Sequence, residues 1–158
     1  MRVVSVLVST LALASVAAGC SKPEPAPVAA SPYNTQIPMN EVMAHVVNPA
    51  AYQFWSGWGV VDDENGSHDL TPKTDQEWEV LENGAATVVT ATNAIMAPGY
   101  ARAPEADWNR LAQDVIRIAL RGKEAAEKHD KDSLGDIGEQ LDTACDACHA
   151  KFALNVQP

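Results

Sequence analysis

Between Met39 and Phe152 the apolar residues recur three or four positions apart, broken only by short clusters of Pro, Gly and Asp. At about 3.6 residues per turn that spacing lines one face of a helix, whereas a half-buried strand would alternate every second residue. The first run spans Met39 to Trp58. Met39, Met43, Val46, Val47, Ala50, Phe54 and Trp58 fall on one stripe, with Glu41, His45, Asn48 and Tyr52 opposite. Pro49 lies inside this run and has no backbone N–H, so it is expected to kink the helix or to restart it with Asn48 as cap. Gly57, Gly59 and Asp62 to Asp69 read as a polar loop. The second run opens on a capping box, Thr74-Asp75-Gln76-Glu77, continues through Trp78, Leu81, Ala85, Val88, Thr92 and Ile95, and stops at Pro98-Gly99. The third starts near Pro104-Glu105, carries Trp108, Leu111, Val115, Ile118 and Gly122, and fades near His129-Asp130. The fourth starts at Asp132 or Ser133 and carries Leu134, Ile137, Leu141, Ala144 and Cys148 to Phe152. No segment reads as a strand; the β-branched run Thr87–Thr90 sits within a sustained helical period. Four amphipathic helices with short connections predict an all-α fold, an antiparallel four-helix bundle.

The chain before Met39 has a different character. Arg2 precedes an apolar run, Val3 to Val16, that is too short and too rich in Ser and Ala to favour a membrane span. The run ends in Ala17-Ala18-Gly19-Cys20, which resembles a bacterial lipoprotein cleavage box, with Ala17 where Leu is preferred. Residues 1–19 are therefore expected to be a signal peptide and Cys20 a lipidated N-terminus; ordinary cleavage after a small-x-small site is the alternative. Residues 20–38 hold Pro23, Pro25, Pro27, Pro32 and Pro38 among Ala and Ser, the composition of a tether without core. Residues 39–158 form the predicted domain. The formal net charge of −10 argues against nucleic-acid binding, which needs a basic face, and suits docking to a basic partner protein.

The fourth run carries Cys145-Asp146-Ala147-Cys148-His149. Cys-x-x-Cys-His is the pattern of covalent c-type haem attachment. On a helix, residues three apart share a side, so the thiols of Cys145 and Cys148 can add to the two vinyl groups of one porphyrin. His149, four after Cys145, can reach the iron as proximal ligand. Two other chemistries use Cys-x-x-Cys. A thioredoxin-like dithiol requires a βαβ context, which is missing from the sequence pattern. A closed zinc site requires further ligands, whereas His45, His68 and His129 are scattered.

A four-helix domain that ends in Cys-Asp-Ala-Cys-His-Ala-Lys-Phe resembles cytochrome c′ and its low-spin relatives over roughly Met39 to Leu154. The resemblance implies one haem c inside the bundle, with Cys145 and Cys148 as thioethers and His149 as axial ligand. The chain departs from the family at two places. Ala153 stands four residues after the ligand His, where a base is usual, with Lys151 the nearest base. No Lys or Arg occurs between Lys22 and Lys73, where the family often has an arginine near a haem propionate. Family members differ in what the first helix offers the iron: an apolar residue leaves it open to small gases, and a Met closes it for electron transfer. Met43, nearest the centre of the inward stripe, is the expected sixth ligand. Met39 is the lesser candidate, and His45 projects from the opposite face. Arg102, Arg110, Arg117 and Arg121 are candidates for pairing with propionates or with surface carboxylates. The expected function is one-electron transfer in the periplasm by a membrane-anchored lipoprotein that meets redox partner proteins. It is not expected to be an enzyme. The alternative is a five-coordinate haem protein that binds nitric oxide or carbon monoxide. The family often forms homodimers, and the sequence is compatible with one.

Overall fold

The computed structural model of the protein describes residues 31–152; the expected signal segment, Cys20 and the residues after Phe152 lie outside them. The helices are α1 (Met39–Val42) and α2 (Asn48–Trp55), joined by a π-helical turn (Met43–Val47), then α3 (Asp75–Ala94), α4 (Glu105–Glu127) and α5 (Lys131–Phe152). A two-stranded antiparallel hairpin, β1 (Val60–Asp63) and β2 (Gly66–Asp69), links α2 to α3.

The capping box forms as the sequence predicts. The Thr74 side chain accepts from the Glu77 N–H, and the Glu77 carboxylate accepts from the Thr74 N–H. A cap of this kind stabilises by about 1 kcal/mol. α4 ends with His129 in the left-handed region at φ 53°, its ring stacked on Trp78 with centroids 4.8 Å apart.

Helix α2 packs on α3, α3 on α4, and α4 on α5. The core between them holds Phe54, Val88, Leu134 and Leu141, each essentially without exposure; burying a side chain of this size contributes roughly 1.5–3 kcal/mol. The crossing of α2 on α3 closes to backbone distance because a glycine stands there, and a second glycine, on α4, makes room for an aromatic ring. A Cβ on Gly84 would lie 2.7 Å from the Ala50 carbonyl oxygen, and one on Gly122 would lie 2.8 Å from the Phe54 ring.

The first helix and α5 approach each other differently, through side chains on glycines. The Trp58 indole lies across Gly135 and Gly138, where a Cβ on Gly138 would come within 2.6 Å of its Nε1. The Trp55 Nε1–H donates to the Gly138 carbonyl at 3.2 Å. At the other end, Met39 and Met43 share an apolar cluster with Phe152. Residue numbers thus rise on one helix as they fall on the other, so the two run antiparallel.

Four expectations are corrected. Residues 60–69 form a hairpin rather than an unstructured loop: Val60 pairs with Asp69 and Asp63 with Gly66, leaving Glu64-Asn65 as a two-residue loop. Gly66, at φ 117°, supplies the conformation that closes it. The first helix ends at Trp55, not Trp58. The α-helix does restart at Pro49, but Asn48 is its first residue rather than its cap, and a widened turn, Met43–Val47, leads into it. Val46, placed on the inward stripe by the sequence, is exposed, and Val42 is buried in its stead.

The chain enters the bundle on a fixed contact. The Tyr100 hydroxyl donates to the Ile37 carbonyl at 2.7 Å. The last residues of the proline-rich stretch are therefore held against the connection between α3 and α4.

Candidate functional site

Cys145 and Cys148 lie in the last two turns of α5, half-buried, with free thiols. Cys145 packs against the main core. One turn further on, Phe152 meets Trp108 edge to face at 5.0 Å. Trp108 is buried, and its Nε1–H donates to the Ile95 carbonyl at 2.9 Å. Around this pair gather Val42, Met39, Met43, Val47, Met96, Tyr100 and Ala101. His149 is exposed.

The environment raises both thiols. Burial pushes the Cys145 thiol up to about 11, and the carboxylates of Asp142 and Asp146 act in the same direction. Burial also raises Cys148, against the opposing charge of Arg102. A redox dithiol needs a thiolate near neutral pH and is usually found at the N-terminal, positive end of a helix. These cysteines stand at the opposite end of α5 and stay protonated. Among the described residues, no group of three or more His, Cys, Asp or Glu side chains converges.

The placement of Met43 follows from the antiparallel register. Counting back from Trp55, Met43 is 12 positions away; counting forward from Gly138, 12 positions reach Ala150. Both helices rise about 1.5 Å per residue, and the π-turn rises slightly less, so Met43 stands level with His149 and Ala150. Met39, Met43 and Val47 form a half-buried row on the flank that continues through Ala51 to Trp55 and Trp58, the flank turned toward α5. Val42, 8% exposed, is buried with Ile95 and Trp108, in the cluster against which Met39, Met43 and Val47 also pack. The sequence-predicted residues are thus brought to one end of one seam, and that seam is the one not closed by backbone-level packing between neighbouring helices.

His45 stands apart. Its side chain is 72% exposed and pairs with Glu41 at 3.1 Å. Met96 joins the cluster, and its sulfur accepts from the Gln113 amide at 3.5 Å. The arginines sort by partner. Arg110 and Arg117 reach Asp114 at 3.5 and 2.9 Å, and Arg121 reaches Asp136 at 3.8 Å. Arg102 has no carboxylate partner among the described residues. Its guanidinium donates to the Phe152 carbonyl and lies 5.8 Å from the Trp108 ring centre. Lys151 is tied to Asp107 at the start of α4.

The chain matches no protein-family model, no characterised protein and no solved structure. Its likeness to cytochromes c′ therefore rests on the Cys145–His149 motif and on helical architecture.

Sequence reasoning did not single out Gly135 and Gly138. Two glycines three apart inside a helix mark a face that another group approaches closely, and that signal was present. Arg102 carried no local signal that set it apart from the other arginines. A shallow groove of about 430 Å³ also opens between α4 and α5, over Leu111, Ala144 and Ala147. Of the charged residues along it, Arg117 and Asp114 are paired with each other.

Proposed function

We propose that the chain is an exported c-type cytochrome that carries one haem and transfers one electron at a time. Cys145 and Cys148 would hold the haem as thioethers, with His149 on one face of the iron and Met43 on the other. Haem iron held in this way supplies a reversible one-electron couple, and a thioether ligand raises its potential. One observation carries the reading: Met43 stands level with the Cys-x-x-Cys-His motif across the loosely closed seam between the first helix and α5.

The remaining residues suit the same group. Trp108, Phe152 and Val42 offer an apolar, aromatic wall of the kind a flat macrocycle packs against. Arg102, at the motif end and without a carboxylate partner among the described residues, would be the cation to receive a propionate. Cys20 would carry the lipid that tethers the protein to a membrane facing the periplasm, and the acidic surface would meet basic redox partners.

The test is expression in a host that attaches haem c, followed by mass spectrometry and spectroscopy. The expected chain gains one haem that resists acid extraction, is low-spin, and binds carbon monoxide poorly. Met43→Ala is expected to turn it high-spin and open to carbon monoxide. A chain that gains no covalent haem overturns the reading. A wild type that is already high-spin and binds carbon monoxide readily replaces electron transfer with gas binding.

A further inference from the structure

We propose that Pro49 is a positioning residue: by forcing the π-turn Met43–Val47 it sets the rotation that brings Met43 to the seam with α5. This rests on the Met43 ligation proposed above. In an uninterrupted α-helix, the N–H of residue 49 would donate to the carbonyl of His45, and Pro49 has no such N–H. The structure widens the preceding turn instead, and the Asn48 N–H reaches back five residues to the Met43 carbonyl. That turn holds one residue more than an α-turn. Every side chain before it is therefore displaced by one position from where an unbroken helix would put it.

Burial records the displacement. Val46, four residues before buried Ala50, would be buried in an unbroken helix, yet it is 38% exposed. Val42 is buried in line with Ala50 on the side facing α3 and α4. Without the extra residue, Met43 would move to the position that Val42 holds. Ala44 would take the place of Met43, at nearly the same height along the axis.

The test uses the haem-bearing chain with Pro49→Ala, which restores the missing N–H with a residue that favours helix. The expected spectrum is that of Met43→Ala, high-spin and open to carbon monoxide. Adding Met43→Ala and Ala44→Met to Pro49→Ala should return the low-spin, carbon-monoxide-resistant form, a rescue that general loosening of the helix would not give. Retention of the low-spin spectrum by Pro49→Ala overturns the proposal, as does failure of the rescue. The rotation is also read without the iron. Val46→Cys should react quickly with a soluble maleimide and Val42→Cys slowly, located by peptide mass spectrometry, and Pro49→Ala should reverse that order. An unchanged order overturns the proposal. If Met43→Ala alone leaves the spectrum unaltered, the ligation reading fails and the positioning role with it, while the reversal still reports whether Pro49 sets the turn.

Discussion

In the chain without haem, burial keeps Cys145 a thiol. Its pKa of about 11 comes first from burial against the core and then from Asp142 and Asp146. The thiolate is the nucleophile, so the buried thiol is nearly inert at neutral pH. Cys148 is also raised by burial, but Arg102 offsets part of that effect. In chain made without haem, iodoacetamide at pH 8 is expected to modify Cys148 first. Cys145 should gain reactivity only as the pH climbs toward about 11. Quantifying the two alkylated peptides over time checks this; equal rates at pH 8 would contradict the burial of Cys145. The same chemistry bears on the pair's fate before modification. Disulfide closure begins with a thiolate attacking, so two raised thiols resist closing on each other.

At the scale of elements, the crossing of α2 on α3 depends on Gly84. An alanine inside a helix is normally better than glycine by about 1 kcal/mol. Here the new Cβ would meet the Ala50 carbonyl oxygen at 2.7 Å and the Phe54 nitrogen at 2.9 Å, both backbone atoms that cannot swing aside. Gly84→Ala is therefore expected to destabilise, by roughly 1–3 kcal/mol, the usual range for overpacking. Urea unfolding followed by circular dichroism measures it, and a gain in stability would mean that the helices can separate at no cost. The elements also divide by how far they could be foreseen. Helices α3, α4 and α5 were legible because caps, breakers and a long apolar period all agree, as at Thr74 and Pro104. The hairpin was not foreseen, since all its residues are exposed and carry no burial pattern, although Asn65-Gly66 is a recognised hairpin signal. Pro49 showed the loss of a donor but not its remedy, because a kink, a break and a widened turn all answer a missing N–H. The motif was legible because its chemistry is set by local spacing. The level of Met43 against it was not, because that register hangs on Trp55 and Gly138, 83 positions apart.

At the scale of the molecule, the three closely packed seams join helices that follow one another in sequence, whereas the seam between the first helix and α5 joins the two ends of the bundle. Contacts between sequence neighbours cost little loop entropy and form fast, and contacts between distant segments wait for them. The first helix is joined to α3 by the longest of the three connections, residues 56–74 against 95–104 and 128–130, so pulsed hydrogen-exchange labelling during refolding should find amides of α3 and α4 protected before those of the Met39–Trp55 segment. Simultaneous protection, or the first helix leading, would contradict that order. If closure follows that order, the folding chain passes through an interval in which three helices are already assembled while Cys145, Cys148 and His149 still stand at an open edge. An enzyme that attached haem there as proposed would find its target shaped but not yet sealed, and the arrival of the first helix would end its access.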